Sequence, residues 1–472
     1  MEILHVSAEC YPVAKAGGLG DVVGALPIYL TRAGHSAKVV MPMYRTTFLY
    51  GHQWDVVHKG FTNLGSRWFE FTVIRESSNE LGFDLYLIDI NGLLDREKIY
   101  GYEDDTERFT AFQIAVLDWV TAWERHPDII HVHDHHTALI PFMTGNCHKY
   151  TPLRKIPIVL TIHNAEYQGW MGWDKSTYLP PWEMWNWGKL DWNNMINPLA
   201  SGIKCASAVT TVSPNYLNEL KYSSNGLESL FEFEKGKCVG ILNGIDSKVW
   251  DPQTDSYLTD HYGVPDALEG KAKNKILLCE RFNLDFQKPL VSFIGRLVGE
   301  KGADLLPAVI SQSFRYIGKR MNFLVLGSGN KEVEQQLLHF SGQYAGDYSA
   351  YIGYNETLSH QIYAGSDFLL MPSRVEPCGL NQLYAMRYGT VPVVRSTGGL
   401  KDTVIDFEDI NGYGICFDYT ETGDICHGIW RAVELYRDKK RLNSIREQVM
   451  ELDFDWQTST EKYIQVYEQL II

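Results

Sequence analysis

The sequence predicts an α/β protein of two parallel-sheet, nucleotide-fold domains facing a central cleft. Three observations carry this. Short β-rich runs alternate with amphipathic helical stretches over most of the chain, which is the pattern of βαβ units. At 472 residues the chain is too long for one ordinary core. Two widely separated segments each read as strand, glycine-bearing turn and helix: Lys15-Ala16-Gly17-Gly18-Leu19-Gly20-Asp21 after Ile3-Leu4-His5-Val6, and Glu376-Pro377-Cys378-Gly379-Leu380 after Phe368-Leu369-Leu370-Met371. Such turns aim backbone N–H groups at an anionic ligand, so each domain has a place to hold one.

In the first half, buried-strand runs fall at residues 3–7, 38–41, 129–132, 158–162, 208–212 and 239–242. Between 61 and 90 the period changes. Residues 69–73 and 83–87 alternate apolar and polar around Ser77-Ser78-Asn79, which predicts an antiparallel hairpin. In the second half the strands recur at 290–294, 322–326, 350–352, 368–371 and 391–394. Helices are expected at 22–30, 303–311 and 380–388. The first domain, 1–245, ends in the turn residues Asn243-Gly244-Ile245-Asp246, and the second spans 246–455. A last helix, 456–472, carries Tyr463, Val466, Tyr467 and Leu470 on one stripe, with Asp455 available as its cap.

Net charge is −15, from 43 basic and 58 acidic residues, with no Lys/Arg-rich block. Nucleic-acid binding needs a basic face to neutralise phosphates, so that class is excluded as a partner. No run approaches the length of a membrane span, and the N-terminus begins directly with a strand rather than an export signal. The eight cysteines are scattered without a Cys-x-x-Cys, as expected of reduced thiols in the cytoplasm.

An anionic substrate must then be held by a few local cations. In the first loop, Gly17 and Gly18 are expected to allow close backbone approach, Lys15 supplies charge, and Asp21 caps the following helix. Gly295-Arg296-Leu297-Val298-Gly299-Glu300-Lys301-Gly302 again joins strand to helix, placing Arg296 and Lys301 where a diphosphate could be gripped. Glu376 stands at a strand end, either as a reacting carboxylate or as a helix cap. His131-Val132-His133-Asp134-His135-His136 suggests a metal site at first sight. Only His131 and His133 share a face, however, and no second ligand cluster has a recognisable spacing, so no metal or other cofactor is expected. Asp134 is read as a helix cap or a substrate contact. His163-Asn164 ends another strand, in the cleft. Six of the 13 tryptophans (170, 173, 182, 185, 187, 192) lie in one stretch, suited to stacking on sugars or to packing a lid.

These motifs together resemble the bacterial glycogen synthase and plant starch synthase family, retaining glucosyltransferases of the GT-B fold with two Rossmann-like domains. The likeness is carried by the Lys15–Asp21 loop, His163-Asn-Ala-Glu-Tyr-Gln-Gly169, Asn243-Gly-Ile-Asp246, Gly295-Arg-Leu, Lys301-Gly302, Ile352-Gly-Tyr-Asn355, Pro372-Ser-Arg-Val-Glu-Pro-Cys-Gly-Leu380 and Thr397-Gly-Gly-Leu-Lys-Asp402. The resemblance implies transfer of glucose from ADP-glucose or UDP-glucose, ADP-glucose favoured, to an α-1,4-glucan. It implies that Lys15, Gly18, Arg296 and Lys301 hold the donor diphosphate, with Asp21 on the nucleoside side, Tyr354 on the base, and Cys378, Gly379, Leu380, Asn381, Gly398 and Gly399 lining the donor site. Asn381 stands where many bacterial members have threonine. Glu376, His163 and Asp134 are the implied catalytic set. Asn164, Tyr167, Gln168, Trp170, Trp173 and Asn243 are acceptor candidates, and the last helix is expected to cross back onto the N-terminal domain. The rivals are a related transferase with a small acceptor, of the sucrose- or trehalose-phosphate type, and an inactive glucan-binding protein on the same scaffold.

Overall fold

A computed structural model describes residues 1–78 and 80–471, so Asn79 of the expected hairpin turn and Ile472 of the last helix lie outside the described residues. The chain divides into two compact units: Met1–Asn243 with Trp456–Ile472, and Gly244–Asp455.

The first unit holds strands β1 Glu2–Val6, β2 Ser36–Pro42, β3 Trp54–Leu64, β4 Arg67–Glu76, β5 Asp84–Asp89, β6 Ile129–His133, β7 Ile158–Ile162, β8 Asp191–Trp192, β9 Met195–Ile196, β10 Ala208–Thr211 and β11 Cys238–Gly240. Nine of these form one sheet in the order β11-β10-β7-β6-β1-β2-β5-β4-β3. From β11 to β5 the pairings are parallel. The central strands β6 and β7 are buried along their whole length because helices cover both faces of a parallel sheet. β4 then pairs antiparallel with β5, placing Val73 opposite Ile88. That is the expected hairpin, but β4 is ten residues long and pairs on its other side with β3, a strand the sequence pattern did not predict. β3 is an edge strand with little burial, so it carries no clear two-residue apolar alternation.

Helix Gly18–Arg32 and the last helix, Trp456–Ile471, pack on this sheet. Trp456, Tyr463, Val466 and Tyr467 join Ile3, Val22, Leu26 and Ile129 in one buried cluster. The terminal helix is therefore part of the first unit's core.

The second unit has a six-stranded parallel sheet of β12 Leu290–Ile294, β13 Asn322–Gly327, β14 Tyr348–Ile352, β15 Phe368–Met371, β16 Val391–Arg395 and β17 Ile415–Phe417, in the order β14-β13-β12-β15-β16-β17. β17, only three residues long, also escaped prediction. The helix expected at 303–311 is instead a 3₁₀ turn, Ala303–Leu305, followed by a helix at Leu306–Tyr316, and a separate 3₁₀ turn, Gly299–Lys301, stops just before Gly302. Gly302 forces this break. Its φ is +68°, and a Cβ there would lie 2.2 Å from the Pro372 carbonyl oxygen.

Candidate functional site

In an open parallel sheet the strands leave their ligand-binding loops at their carboxyl ends. In the first unit the adjacent strands β1, β6 and β7 end at Glu9 and the Lys15 loop, at Asp134, and at His163-Asn164.

The Lys15 loop is organised by a residue that the sequence did not single out. Glu9 is buried, and its Oε2 accepts from the Ala16 and Gly17 N–H groups at 2.6 and 3.0 Å, while Tyr100 donates to Oε1 at 2.7 Å. Burial raises the Glu9 pKa, against those three hydrogen bonds. Glu9 lies outside the glycine motif, and a single acidic residue at a strand end has no pattern to mark it. Asp21 is not a helix cap, because the helix already begins at Gly18 with Gly17 as its N-cap. Asp21 lies in the first turn and accepts from Lys15 Nζ at 2.7 Å. Gly17 and Gly18 make no close approach: a Cβ on either would meet nothing within 4 Å. The crowded glycine is Gly24, whose Cβ would come 2.5 Å from the Tyr11 carbonyl oxygen.

Asp134 sits at φ +54°, a backbone region that costs most non-glycine residues energy but that Asp tolerates. Its Oδ1 accepts from the His163 and Asn164 N–H groups at 2.7 and 3.4 Å, tying the ends of β6 and β7 together. Burial raises the Asp134 pKa to about 7, with the nearby Glu9 charge adding to the rise and the two N–H bonds opposing it. His163 is 8% exposed, and burial lowers its pKa to about 3, so the ring is neutral.

Behind it lies a group of imidazoles. His5 faces His131 across the β1–β6 register and joins His133 on the same side of the sheet. Ligand nitrogens of His5, His131 and His133 all lie within 4.8 Å of one another, the spacing a metal would need. Both His131 nitrogens, however, face hydroxyls, Tyr467 at 2.7 Å and Thr161 at 2.6 Å, and both His133 nitrogens face other imidazoles. His131 and His133 also stack, with centroids 4.3 Å apart, which keeps their lone pairs from converging on one ion.

The acceptor candidates divide. Gln168 is buried, and its amide is used internally, donating to Ser224 at 3.0 Å and accepting from Asn197 at 2.7 Å. Trp173 donates to Asp191 at 3.0 Å. Asn243 is also buried, and its Oδ1 has no hydrogen-bond partner among the described residues. Asn164 uses Oδ1 on the Glu166 N–H, while Tyr167 and Trp170 are exposed. Of the other tryptophans, Trp182 packs on Phe142, Trp192 donates to Gly226, and Trp185 and Trp187 are exposed.

In the second unit, loops after the neighbouring strands β12, β15 and β16 converge. Glu376 is 6% exposed and does not cap a helix. The next helix begins at Asn381, with Leu380 as N-cap. Lys301 Nζ donates to both carboxylate oxygens of Glu376 at 2.6 Å, and Ser373 Oγ donates to one at 2.9 Å. Arg374 clamps the two loops: its guanidinium grips Asp304 at 2.6 and 2.8 Å, and its backbone N–H donates to the Glu300 carbonyl. Arg296 is separate, exposed and 3.6 Å from Glu300.

Gly398 and Gly399 serve close approach. Cβ atoms there would lie 2.0 Å from the Glu376 and 2.1 Å from the Cys378 carbonyl oxygens. The Gly399 N–H, expected to point at ligand, instead donates to the Glu376 and Pro377 carbonyls at 3.1 Å. Asn381 donates to the Ile294 carbonyl at 2.8 Å, fixing its helix to the end of β12. Gly379 has φ +74°, Cys378 is buried, and Tyr354, after β14, is 81% exposed.

Each unit thus gathers cations, N–H groups and a carboxylate at strand ends, an arrangement suited to an anionic sugar donor. Residues 2–233 match the family model described as the starch synthase catalytic domain, and residues 279–448 match glycosyl transferases group 1, so the protein is a glycosyltransferase. A glycogen synthase of Flavobacterium johnsoniae is 55% identical over 471 residues, 100% of this chain and 99% of that protein. The chain belongs to the glycogen synthase and starch synthase family. Among solved structures, the catalytic domain of starch synthase IV from Arabidopsis thaliana, bound to ADP and acarbose, superposes with a TM-score of 0.90 at 31% identity, covering 100% of this chain and 99% of that one. A sucrose-phosphate synthase from Thermosynechococcus elongatus shares the GT-B fold at TM-score 0.65 and 16% identity, covering 100% of this chain and 99% of that one. Among the described residues no helix is long and apolar enough to cross a membrane.

Proposed function

We propose that this enzyme extends α-1,4-glucans, moving glucose from a nucleoside diphosphate glucose to a non-reducing end with retention of configuration. The observation that carries the reading is the Glu376–Lys301–Ser373 cluster at the carboxyl end of β15. As the bond from the anomeric carbon to the diphosphate breaks, its electrons leave with phosphate and positive charge grows on the sugar. The buried carboxylate favours that charge, and Lys301 and Arg296 favour the departing diphosphate. The acceptor hydroxyl oxygen then bonds to the same face of the sugar, and its proton passes to the phosphate oxygen that has left.

In this reading the space beside Gly17 and Gly18, which a side chain would fill, admits the donor. Tyr354 packs on its base, and Asp21 serves the nucleoside side through Lys15. Asp134, His163, Asn164, Tyr167 and Trp170 contact sugar. Gln168, Trp173, Asn381 and Gly399 support these residues from within the fold. ADP in the Arabidopsis structure favours ADP-glucose over UDP-glucose as donor. Eight free cysteines accord with a reducing, cytoplasmic setting.

Initial rates with ADP-glucose and UDP-glucose on a glucan primer, with the product anomer followed by proton NMR, test the reading. Chain extension through α-1,4 links from ADP-glucose is expected. Turnover only with a small sugar phosphate would support the small-acceptor alternative, and binding of glucan without turnover the inactive one.

A further inference from the structure

Three imidazoles of the first unit, His5, His133 and His163, form a hydrogen-bonded row. His5 Nδ1 lies 3.2 Å from His133 Nε2, and His133 Nδ1 lies 3.1 Å from His163 Nε2. His5 and His133 are fully buried. Burial keeps all three rings neutral, with pKa values of about 3 for His5 and His163 and well below the usual range for His133. A neutral imidazole donates from one nitrogen and accepts at the other. Bonded in series, the three rings therefore share one choice, because reversing any ring reverses all of them.

The far end decides the direction. His5 Nε2 is buried and has no hydrogen-bond partner among the described residues. If the row ran from His163 toward His5, that nitrogen would be an N–H with nothing to donate to, the rarer kind of buried orphan. Run the other way, it is a bare lone pair, and His5 donates to His133, which donates to His163. The ring nitrogen left over among the described residues, His163 Nδ1, then carries a proton and points out of the row.

We propose that His5 and His133 are positioning residues that lock His163 as the Nδ1–H tautomer, a neutral donor aimed at a hydroxyl oxygen of a bound sugar. This rests on the reading of His163 as a sugar contact. The lock works because the partner of one imidazole nitrogen sets the protonation of the other. Adjacent bonds in such a row also strengthen one another in a low-dielectric interior.

The test is ¹⁵N NMR of histidine-labelled enzyme, with kinetics on the same preparations. In the wild type, the His163 Nδ1 signal should be that of a protonated nitrogen and Nε2 that of a bare one. His133→Phe keeps a ring of similar size and removes both nitrogens. It should mix the His163 tautomers and lower kcat about tenfold to a hundredfold, the size of loss found when the orienting partner of a metal-bound histidine is removed, with glucan KM nearly unchanged. If that variant does not fold, His5→Phe, which removes only the end of the row, should raise the Nε2–H population of His163. A wild-type His163 carrying its proton on Nε2, or signals unmoved in the folded variants, overturns the proposal. So does a stoichiometric transition metal retained through chelation, since it would take the lone pairs. His163→Ala separates the two readings: full activity there removes His163 from sugar contact, whatever the NMR shows of the row.

Discussion

At the scale of single residues, the pairing of Lys301 with Glu376 changes how their substitutions combine. The sequence suggested that Arg296 and Lys301 act together on one diphosphate. The structure couples Lys301 to Glu376 and leaves Arg296 exposed beside Glu300. Glu376→Gln should keep the fold and lower kcat by about a hundredfold or more, the usual loss for a positioned charge. Lys301→Ala should cost roughly 1.5–3 kcal/mol in kcat/KM, as one charged hydrogen bond does. In a double-mutant cycle the two should be strongly non-additive, while Arg296→Ala should add nearly independently to Glu376→Gln. Steady-state kinetics of the wild type and the five variants decide this, and additive Glu376 and Lys301 effects would break the pair.

Asp134 gives a pH prediction of the same scale. Its pKa is about 7 folded and about 3.9 unfolded. Between those values the unfolded chain has lost the proton that the folded one keeps, so stability falls as pH rises toward 7. Asp134→Asn keeps a residue that tolerates positive φ and removes the charge. Urea midpoints at pH 5, 6, 7 and 8 should show the variant gaining on the wild type up to about pH 7 and then holding a constant lead.

At the scale of elements, strand ends and glycine breaks set the site. Gly302 turns the chain after Lys301 so that the next helix starts at Leu306 and the Pro372 carbonyl fits against the turn. Gly302→Ala meets both the positive φ and the 2.2 Å contact. The conformational part alone costs about 1–2 kcal/mol. The expected result is a lowered Tm together with weaker use of the donor, because Lys301 is the adjoining residue. Unchanged Tm and donor KM would mean that the loop relaxes without moving the lysine.

At the scale of the whole molecule, the terminal helix belongs to the core of a unit whose remaining sequence ended more than 200 residues earlier. Losing residues 456–472 strips Trp456, Tyr463, Val466 and Tyr467 from the Ile3–Val22–Leu26 cluster. Each large aromatic removed from a core costs about 3–5 kcal/mol, against about 5–15 kcal/mol for a whole domain. Expression of the truncated chain should therefore give aggregated protein, or a soluble product whose thermal transition is strongly lowered. A truncated enzyme with wild-type Tm would show that the helix only decorates the surface.

The sequence by itself determined the α/β class, the central parallel strands, the terminal apolar stripe and the motifs at strand ends, because these are written in local spacing: period two, period 3.6 and glycine after a strand. It did not reveal β3, whose edge position leaves it too exposed to pattern, or β17, which is too short. Only the tertiary structure brought Glu9 under the Lys15 loop, set Lys301 against Glu376, and lined up His5 with His133 and His163. Those contacts join residues from 7 to 128 positions apart, and neither residue's neighbours in sequence record them. The same holds for Gly399 and Gln168, whose polar groups looked free in sequence and are used inside the fold. A buried hydrogen-bonding group must find a partner, and which one it finds is fixed by packing between distant segments rather than by local propensity.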